Sequence, residues 1–160
     1  MIRILFVCHG NICRSPMAEY IFKYLAKQAG RAKDFFVSSA AISTEEIWGG
    51  RGNPMDRRAQ RVLQTHGIPF EAGEARQITA RDFAENDYII LMDGGNLRGM
   101  RRLLGRQAEE AAEGKVSLLL DHTDRPGEVS DPWYTGDFER AYRDIEKGCR
   151  GLLAKLSERR

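Results

Sequence analysis

Long apolar runs are missing from this chain of 160 residues. No stretch approaches the roughly 18 apolar residues that read as a membrane-spanning helix, so no membrane partner is expected. The apolar run from Ile2 to Val7 is too short for the hydrophobic region of a signal peptide, and no small-residue cleavage site follows it. The sequence therefore predicts a cytoplasmic protein.

The chain also lacks a large excess of charge of either sign. Lys and Arg number 25 and Asp and Glu number 23, which gives a formal net charge of +2. This balance does not favour nucleic acid or an anionic membrane as the main partner. Cysteine is scarce, and three cysteines, an odd number, argue against a disulfide framework and for a reducing compartment.

What is present is typical of a globular protein. Apolar residues make up 42% of the chain and charged residues 30%. A chain of this length can bury one substantial core, and the sequence contains no repeat, low-complexity segment or linker. We therefore predict a single domain over residues 1–160, and we expect a monomer.

Short β-rich runs alternate with longer segments of helical period. We predict strands at residues 2–7, 34–41, 87–92 and 115–120, and helices at 15–30, 56–66, 79–85, 96–107 and 138–157. Such alternation is typical of βαβ units with right-handed crossovers and a parallel sheet. Ligands of these folds bind at the carboxyl ends of the strands, which is where Cys8 is expected.

The segment after the first strand carries the chemistry. It reads Cys8-His9-Gly10-Asn11-Ile12-Cys13-Arg14-Ser15-Pro16. A loop between a buried strand and a helix start can point its backbone N–H groups inward and so form a cradle for an anion. Gly and Asn tolerate the left-handed backbone of a tight loop, and Ser and Pro suit the helix N-cap and first helical position.

This loop also suits nucleophilic catalysis. The planar guanidinium of Arg14 can bind two oxygens of one phosphate. The donors that favour a phosphate dianion also favour the thiolate of Cys8, to which the hydroxyl of Ser15 can donate. A phosphate held over that sulfur is placed for in-line attack and for a phosphocysteine intermediate.

At these residues the sequence resembles the low-molecular-weight protein tyrosine phosphatases, whose loop has the form V-C-x-G-N-x-C-R-S-P. The likeness extends over nearly the whole chain, through the segments Ser39-Ala40-Ala41, His66-Gly67-Ile68-Pro69, Ala75-Arg76-Gln77-Ile78-Thr79, Asp87-Tyr88-Ile89, Met92-Asp93, Asn96-Leu97-Arg98 and Asp131-Pro132-Trp133-Tyr134. The resemblance implies a flavodoxin-like three-layer α/β fold, with a four-stranded parallel sheet flanked by helices. It also implies phosphotyrosine proteins as partners and no metal or other cofactor.

The resemblance assigns a role to each site residue. Cys8 would be the nucleophile, Arg14 the phosphate clamp and Asp131 the general acid and then base. One carboxyl group can do both, because the leaving group first needs a proton and the phosphocysteine then needs an activated water. The substrate phosphate would be bound by loop residues His9, Gly10, Asn11, Ile12, Cys13 and Ser15. Ser39 and His66, together with Asn11, would hold the loop in shape.

Three aromatic residues are expected to wall the cleft. In the family, the positions of Trp133 and Tyr134 contact the substrate's ring, and Trp48 resembles the opposite wall. Flat aromatic walls suit a phenyl ring. However, residues 44–53 form a longer segment than in many members of the family, which leaves simple loop packing open for Trp48.

Several alternatives stay open. Cys13 is either the partner of a reversible disulfide with Cys8, as the family suggests, or a small apolar residue under the loop. The same scaffold serves protein-arginine phosphatases, in which a small polar residue replaces Ile12, so that Ile12 favours phosphotyrosine. A thiol-dependent arsenate reductase needs two further relay cysteines, and residues 80–110 contain none. A catalytically silent phosphate-binding module would leave Asp131 without a purpose.

Overall fold

A computed structural model describes residues 1–71, 73–106, 108 and 113–158. The strands are β1 (Ile2–Cys8), β2 (Phe35–Ala41), β3 (Ile47–Trp48), β4 (Arg51–Gly52), β5 (Tyr88–Leu91) and β6 (Val116–Leu118). The helices are α1 (Arg14–Gln28), α2 (Arg57–Thr65), α3 (Ala80–Glu85), α4 (Gly94–Leu104), α5 (Pro132–Thr135) and α6 (Phe138–Glu158). Short 3₁₀ turns cover Ala32–Asp34 and Leu119–His122.

Four strands form one sheet in the order β2-β1-β5-β6, and every pairing in it is parallel. The predicted four-stranded parallel sheet is therefore confirmed. β1 lies inside the sheet, paired with β2 from Ile2 to Cys8 and with β5 from Ile4 to Val7. Its carboxyl end consequently meets the ends of two neighbouring strands, and this is the edge where ligands bind in parallel α/β sheets.

Both faces of the sheet are covered, which explains why β1 is apolar at successive positions. Ile4 and Phe6 point into one core, which also holds side chains of α1, α2 and α6. Leu5 and Val7 point into a second core with side chains of α3 and α4, such as Phe83 and Met100. The predicted three-layer arrangement is thus confirmed.

The start of α1 differs from the sequence prediction. The helix begins at Arg14, and Cys13 takes the N-cap position without a side-chain cap. Ser15 is therefore not the N-cap: its hydroxyl donates to the carbonyl of Ala40 and lies 3.1 Å from the sulfur of Cys8. The first turn of α1 is buried, since it forms the floor of the loop before it.

The glycine-rich segment predicted as a loop contains a small hairpin. β3 and β4 pair antiparallel, and Gly49 and Gly50 between them have φ angles of 57° and 79°. Two glycines with positive φ are what a tight two-residue hairpin turn requires. The predicted end of the fourth helix, Gln107, lies outside the described residues. Nowhere in the described residues is a helix long and apolar enough to cross a membrane.

Candidate active site

The sulfur of Cys8 lies at the carboxyl end of β1 and is surrounded by hydrogen-bond donors. The backbone N–H groups of Asn11 and Ser15 donate to Sγ at 3.3 and 3.4 Å. The Ser15 hydroxyl lies 3.1 Å from Sγ. Cys8 is only 3% exposed, so these groups act on the sulfur with little competition from water. The arrangement is suited to hold a negative charge on the sulfur.

Asn11 holds the loop in the shape that directs these donors. Its φ of 60° is left-handed, a conformation that Asn tolerates better than most residues. Its side-chain amide donates to the hydroxyls of Ser15 and Ser39 at 2.8 and 3.0 Å. Its Oδ1 accepts from the backbone N–H of Arg76 at 3.1 Å. Ser39 in turn donates to the carboxylate of Glu19 at 2.7 Å.

Gly10 serves the loop in another way than the sequence suggested. It does not adopt a positive φ. A Cβ atom built at Gly10 would lie 3.3 Å from Cγ of Glu46, a tight contact that requires this side chain to shift by a few tenths of an ångström. Gly10 therefore lies close against the neighbouring segment, and its backbone is not left-handed.

Arg14 is buried and held by two carboxylates. Its Nη1 donates to Asp93 Oδ2 at 2.7 Å and to the carbonyl of Val129 at 2.8 Å, while Nη2 lies 3.4 Å from Asp131 Oδ2. Burial would lower the pKa of Arg14, but negative charge at Cys8 and the hydrogen bond to Asp93 raise it above its usual value. Arg14 therefore stays a cation at the base of the loop.

Asp131 is brought to the site by the segment that follows β6. Val129 donates its N–H to the carbonyl of Met92 at the end of β5, which places this segment beside the sheet edge. Asp131 is the N-cap of the single turn α5, and its Oδ1 accepts the N–H of Trp133 at 3.1 Å. The structure thus brings Cys8, Arg14 and Asp131 together, as the sequence predicted.

These residues line one cavity that opens to solvent, and its lining combines aromatic and acidic side chains. The lining comes from three segments: the loop residues Cys8, His9, Gly10, Ile12, Cys13 and Arg14, the residues Asp131, Trp133 and Tyr134, and the residues Glu45 and Glu46. Trp133 and Tyr134 therefore line the cavity, as predicted.

Trp48 does not belong to this lining. It lies in the β3–β4 hairpin, and 76% of its surface is exposed. Glu45 and Glu46 stand where the second aromatic wall was expected, and Glu45 lies 3.0 Å from Nε2 of His9. The hairpin pairs Trp48 with Arg51 and leaves its side chain in solvent.

The structure also places His66 away from the loop. Its Nε2 lies 2.7 Å from Glu139 Oε1, and its ring stacks on Tyr142 with centroids 3.8 Å apart. His66 follows α2, whereas both partners are on α6, so this side chain joins two helices. Of the two residues expected to support the loop, Ser39 contacts Asn11, and the backbone of Arg76 does so as well.

The three cysteines are all free thiols. Burial raises the pKa of Cys13 well above its usual value, and the charge of Asp56 adds to this shift. Burial likewise raises the pKa of Cys149, which is fully buried on α6. Both side chains therefore stay protonated and poorly nucleophilic.

Sequence reasoning missed several residues of the site. Asp93 follows β5 at the same sheet edge as Cys8, so its place after a buried strand was an available signal. Glu45 and Glu46 gave no such signal, because their position depends on the path of the β3–β4 segment. Glu19 is on the second turn of α1, on the side that faces Ser39.

Comparison with known proteins agrees with this geometry. The family model of low molecular weight phosphotyrosine protein phosphatases matches residues 3–160. The Bacillus subtilis low molecular weight protein-tyrosine-phosphatase YfkJ is 39% identical over 160 residues, which cover 99% of this chain and 97% of that protein. The human low molecular weight phosphotyrosine protein phosphatase is 41% identical over 155 residues, 95% of this chain and 94% of its own.

Solved structures show the same fold. The crystal structure of YfkJ has a TM-score of 0.90 at 38% identity and covers 100% of this chain and 97% of its own. The crystal structure of DARP, a Drosophila arginine phosphatase, has a TM-score of 0.82 at 32% identity, with 96% of both chains covered. Since the family match spans nearly the whole sequence, this chain belongs to the low-molecular-weight protein tyrosine phosphatase family and is a hydrolase of that class.

Proposed function

We propose that this enzyme hydrolyses phosphotyrosine in proteins, and small aryl phosphates, through a phosphocysteine intermediate on Cys8. The observation that carries the proposal is the environment of Sγ, which receives two backbone N–H groups and faces the Ser15 hydroxyl. This sulfur lies in the cavity that Arg14 and Asp131 also line. A nucleophile, a cation for phosphate and a carboxyl group for proton transfer are the three parts that the reaction needs.

In the first step, a lone pair of the Cys8 thiolate attacks phosphorus and the bond from phosphorus to the tyrosine oxygen breaks. The leaving oxygen takes a proton from the carboxylic acid form of Asp131, so tyrosine leaves as a neutral phenol. The loop N–H groups and Arg14 stabilise the charge on the equatorial phosphate oxygens in the transition state.

In the second step, Asp131 is a carboxylate and takes a proton from a water molecule, which attacks the phosphorus of phosphocysteine. The sulfur–phosphorus bond breaks, inorganic phosphate leaves and the thiolate of Cys8 is restored. The N–H groups of Asn11 and Ser15 point at Sγ, and the Ser15 hydroxyl lies beside it, so these groups are placed to stabilise the sulfur as a leaving group.

Arg14 can bind phosphate through part of its guanidinium while Nη1 keeps its contacts with the protein. Nη1 is occupied by Asp93 and the carbonyl of Val129, whereas the contact of Nη2 with Asp131 is longer, 3.4 Å. We expect Nε and Nη2 to bind two phosphate oxygens when substrate enters and Asp131 turns to the leaving group. The anchor at Nη1 keeps the guanidinium plane fixed during this exchange.

The cavity lining favours an aryl substrate. Trp133 and Tyr134 offer aromatic surface on one side, and Ile12 offers an apolar side chain at the base. Phosphoarginine is the second candidate, since the Drosophila arginine phosphatase shares the fold and the acidic Glu45 and Glu46 would tolerate a guanidinium. An arsenate reductase relay is not supported, because Cys149 is buried on α6.

Replacing the nucleophile tests the proposal. Cys8→Ser should abolish release of phosphate from a phosphotyrosine peptide, while titration calorimetry should still detect binding of inorganic phosphate, because the loop donors and Arg14 remain. Cys149→Ala is the matched control and should retain turnover, since that thiol is buried in the core and does not line the cavity.

Turnover retained by Cys8→Ser would refute the assignment. The wild-type enzyme should be assayed in parallel on a phosphoarginine peptide of the same sequence. A larger kcat/KM on that peptide than on the phosphotyrosine peptide would replace the proposed substrate and leave the proposed nucleophile in place.

A further inference from the structure

The first turn of α2 carries an arginine that contacts the segment of the general acid. The guanidinium carbon of Arg58 lies 5.3 Å from the ring centroid of Trp133 and 4.7 Å from that of Phe138. Its Nε and Nη2 donate to the two oxygens of Asp56 at 3.1 and 3.0 Å. A guanidinium plane that is fixed by a carboxylate at its edge is well suited to stack on aromatic rings with its face.

Asp56 connects the same turn to the phosphate-binding loop. Its backbone N–H donates to the carbonyl of Ile12 at 2.9 Å. Its carboxylate caps α2 by accepting the N–H of Arg58 at 2.8 Å. The start of α2 therefore holds the loop of the nucleophile through Asp56 and contacts the segment of Asp131 through Arg58.

The charges of this pair reinforce each other. The hydrogen bond to Asp56 raises the pKa of Arg58 above its usual value. The hydrogen bond from Arg58 lowers the pKa of Asp56, although partial burial acts in the opposite direction. Both groups are therefore charged across the pH range in which a phosphatase is assayed.

The segment of Asp131 needs an external support. α5 has only four residues, and Gly136 ends it in the left-handed conformation. A helix of one turn is unstable by itself, so contacts outside the segment must fix its position. Trp133 donates its N–H to Oδ1 of Asp131 at 3.1 Å. Because this donor is the backbone N–H, a shift of the Trp133 backbone is passed on to the carboxyl group.

We propose that Arg58 is a positioning residue, which holds Trp133 and thereby places Asp131 over the leaving group. Arg58 is not part of the cavity lining and touches none of the proposed reacting atoms. The proposal rests on the proposed role of Asp131 as the general acid. If it is right, loss of Arg58 impairs protonation of the leaving group more than it impairs attack by Cys8.

Two aryl phosphates with different leaving groups test this division. Phenyl phosphate has a basic leaving group that needs a proton, whereas p-nitrophenyl phosphate has an acidic one that needs it less. For Arg58→Met we expect kcat/KM to fall about fivefold with phenyl phosphate and by less than about twofold with p-nitrophenyl phosphate. Equal losses on the two substrates, or no loss on either, would overturn the proposal.

Three variants serve as controls. Arg57→Met removes the same charge from the same turn of α2 and should leave both rates unchanged. Arg58→Lys retains the charge but not the planar fork, so its losses should resemble those of Arg58→Met. Asp56→Asn retains an N-cap side chain but removes the ion pair, and it should show the same difference between substrates.

A spectroscopic measurement separates this proposal from the proposed function. The chain has two tryptophans, so Trp48→Phe leaves Trp133 as the only indole. In that background, Arg58→Met should increase the quenching of Trp133 fluorescence by acrylamide by about 1.5-fold or more, because the guanidinium no longer covers one ring face. Unchanged quenching would overturn the positioning role even if the rates changed.

The kinetic benchmark is Asp131→Asn. If that variant loses activity equally on both substrates, the proposed general acid fails, and the quenching measurement alone then decides whether Arg58 holds Trp133. If Asp131→Asn shows the expected substrate difference and Arg58→Met does not, the proposed function stands and the role of Arg58 is refuted.

Discussion

At the scale of single residues, Asp93 and Asp131 share Arg14 unequally. Asp93 lies 2.7 Å from Nη1, in a charge-assisted hydrogen bond of short length. Asp131 lies 3.4 Å from Nη2 and keeps one oxygen bound only to the backbone of Trp133. The closer carboxylate anchors the arginine, and the looser one is free to turn to a substrate.

Asp131→Asn tests whether Asp131 is the general acid. With phenyl phosphate we expect kcat/KM to fall by about 100-fold or more, which is the usual contribution of a general acid, and with p-nitrophenyl phosphate by about tenfold or less. Asp137→Asn is the control, because Asp137 accepts the N–H of Arg140 and Asn caps equally well. A uniform loss on both substrates would show that Asp131 is not the acid.

At the scale of elements, close contact between α6 and the 3₁₀ turn Leu119–His122 shapes the core beside the sheet. A Cβ atom built at Gly151 would lie 1.7 Å from the carbonyl oxygen of His122, and one at Gly148 would lie 2.4 Å from Cγ of Leu119. The two elements therefore approach through glycines, in the middle of a helix where glycine is intrinsically unfavourable.

Gly151→Ala should therefore destabilise the protein, although Ala is a better helix former than Gly. Propensity alone would add about 1 kcal/mol of stability, but the clash with backbone forces α6 away from the turn. We expect a net loss of about 2 kcal/mol in the free energy of unfolding, measured by urea denaturation. Arg150→Ala on the same helix should change it by less than about 0.5 kcal/mol. A stabilised Gly151→Ala would contradict the contact.

At the scale of the whole molecule, the site concentrates positive groups in a nearly neutral chain. The net charge is only +2, yet the loop N–H groups, the start of α1 and Arg14 converge on one cavity. Under the proposed function, phosphate binds there and contacts groups that only the fold brings together. Because phosphate would bind the folded protein and not the unfolded chain, it should raise the stability of the whole domain.

Inorganic phosphate should consequently raise the thermal midpoint. At a concentration of 100 times its Kd, the stabilisation is about 2.7 kcal/mol, which corresponds to about 5–10 °C for a domain of this size. Arg14→Lys, measured at the same phosphate concentration by calorimetry, should lose more than about half of this shift, because the two-pronged grip is lost. A full shift in that variant would refute the role of the guanidinium.

Much of this protein was readable from the sequence because its signals are local. Alternating strand and helix patterns predicted the parallel sheet, and Cys8, Asn11 and Arg14 are close in sequence as well as in space. The capping box of Thr79 and Asp82 is likewise a contact over three residues. Such features depend on backbone geometry that a few neighbouring residues determine by themselves.

The tertiary structure alone decided the contacts between distant segments. Asp93 binds Arg14 although 79 positions separate them in the chain. His66 contacts α6 and not the loop. Glu45 lines the cavity, where Trp48 was expected. Each outcome depends on how elements pack against one another, and a side chain carries no local mark of a partner that is remote in the chain. The sequence by itself determined the sheet and the loop that holds Cys8, the proposed nucleophile, whereas packing determined which carboxylates and rings surround it.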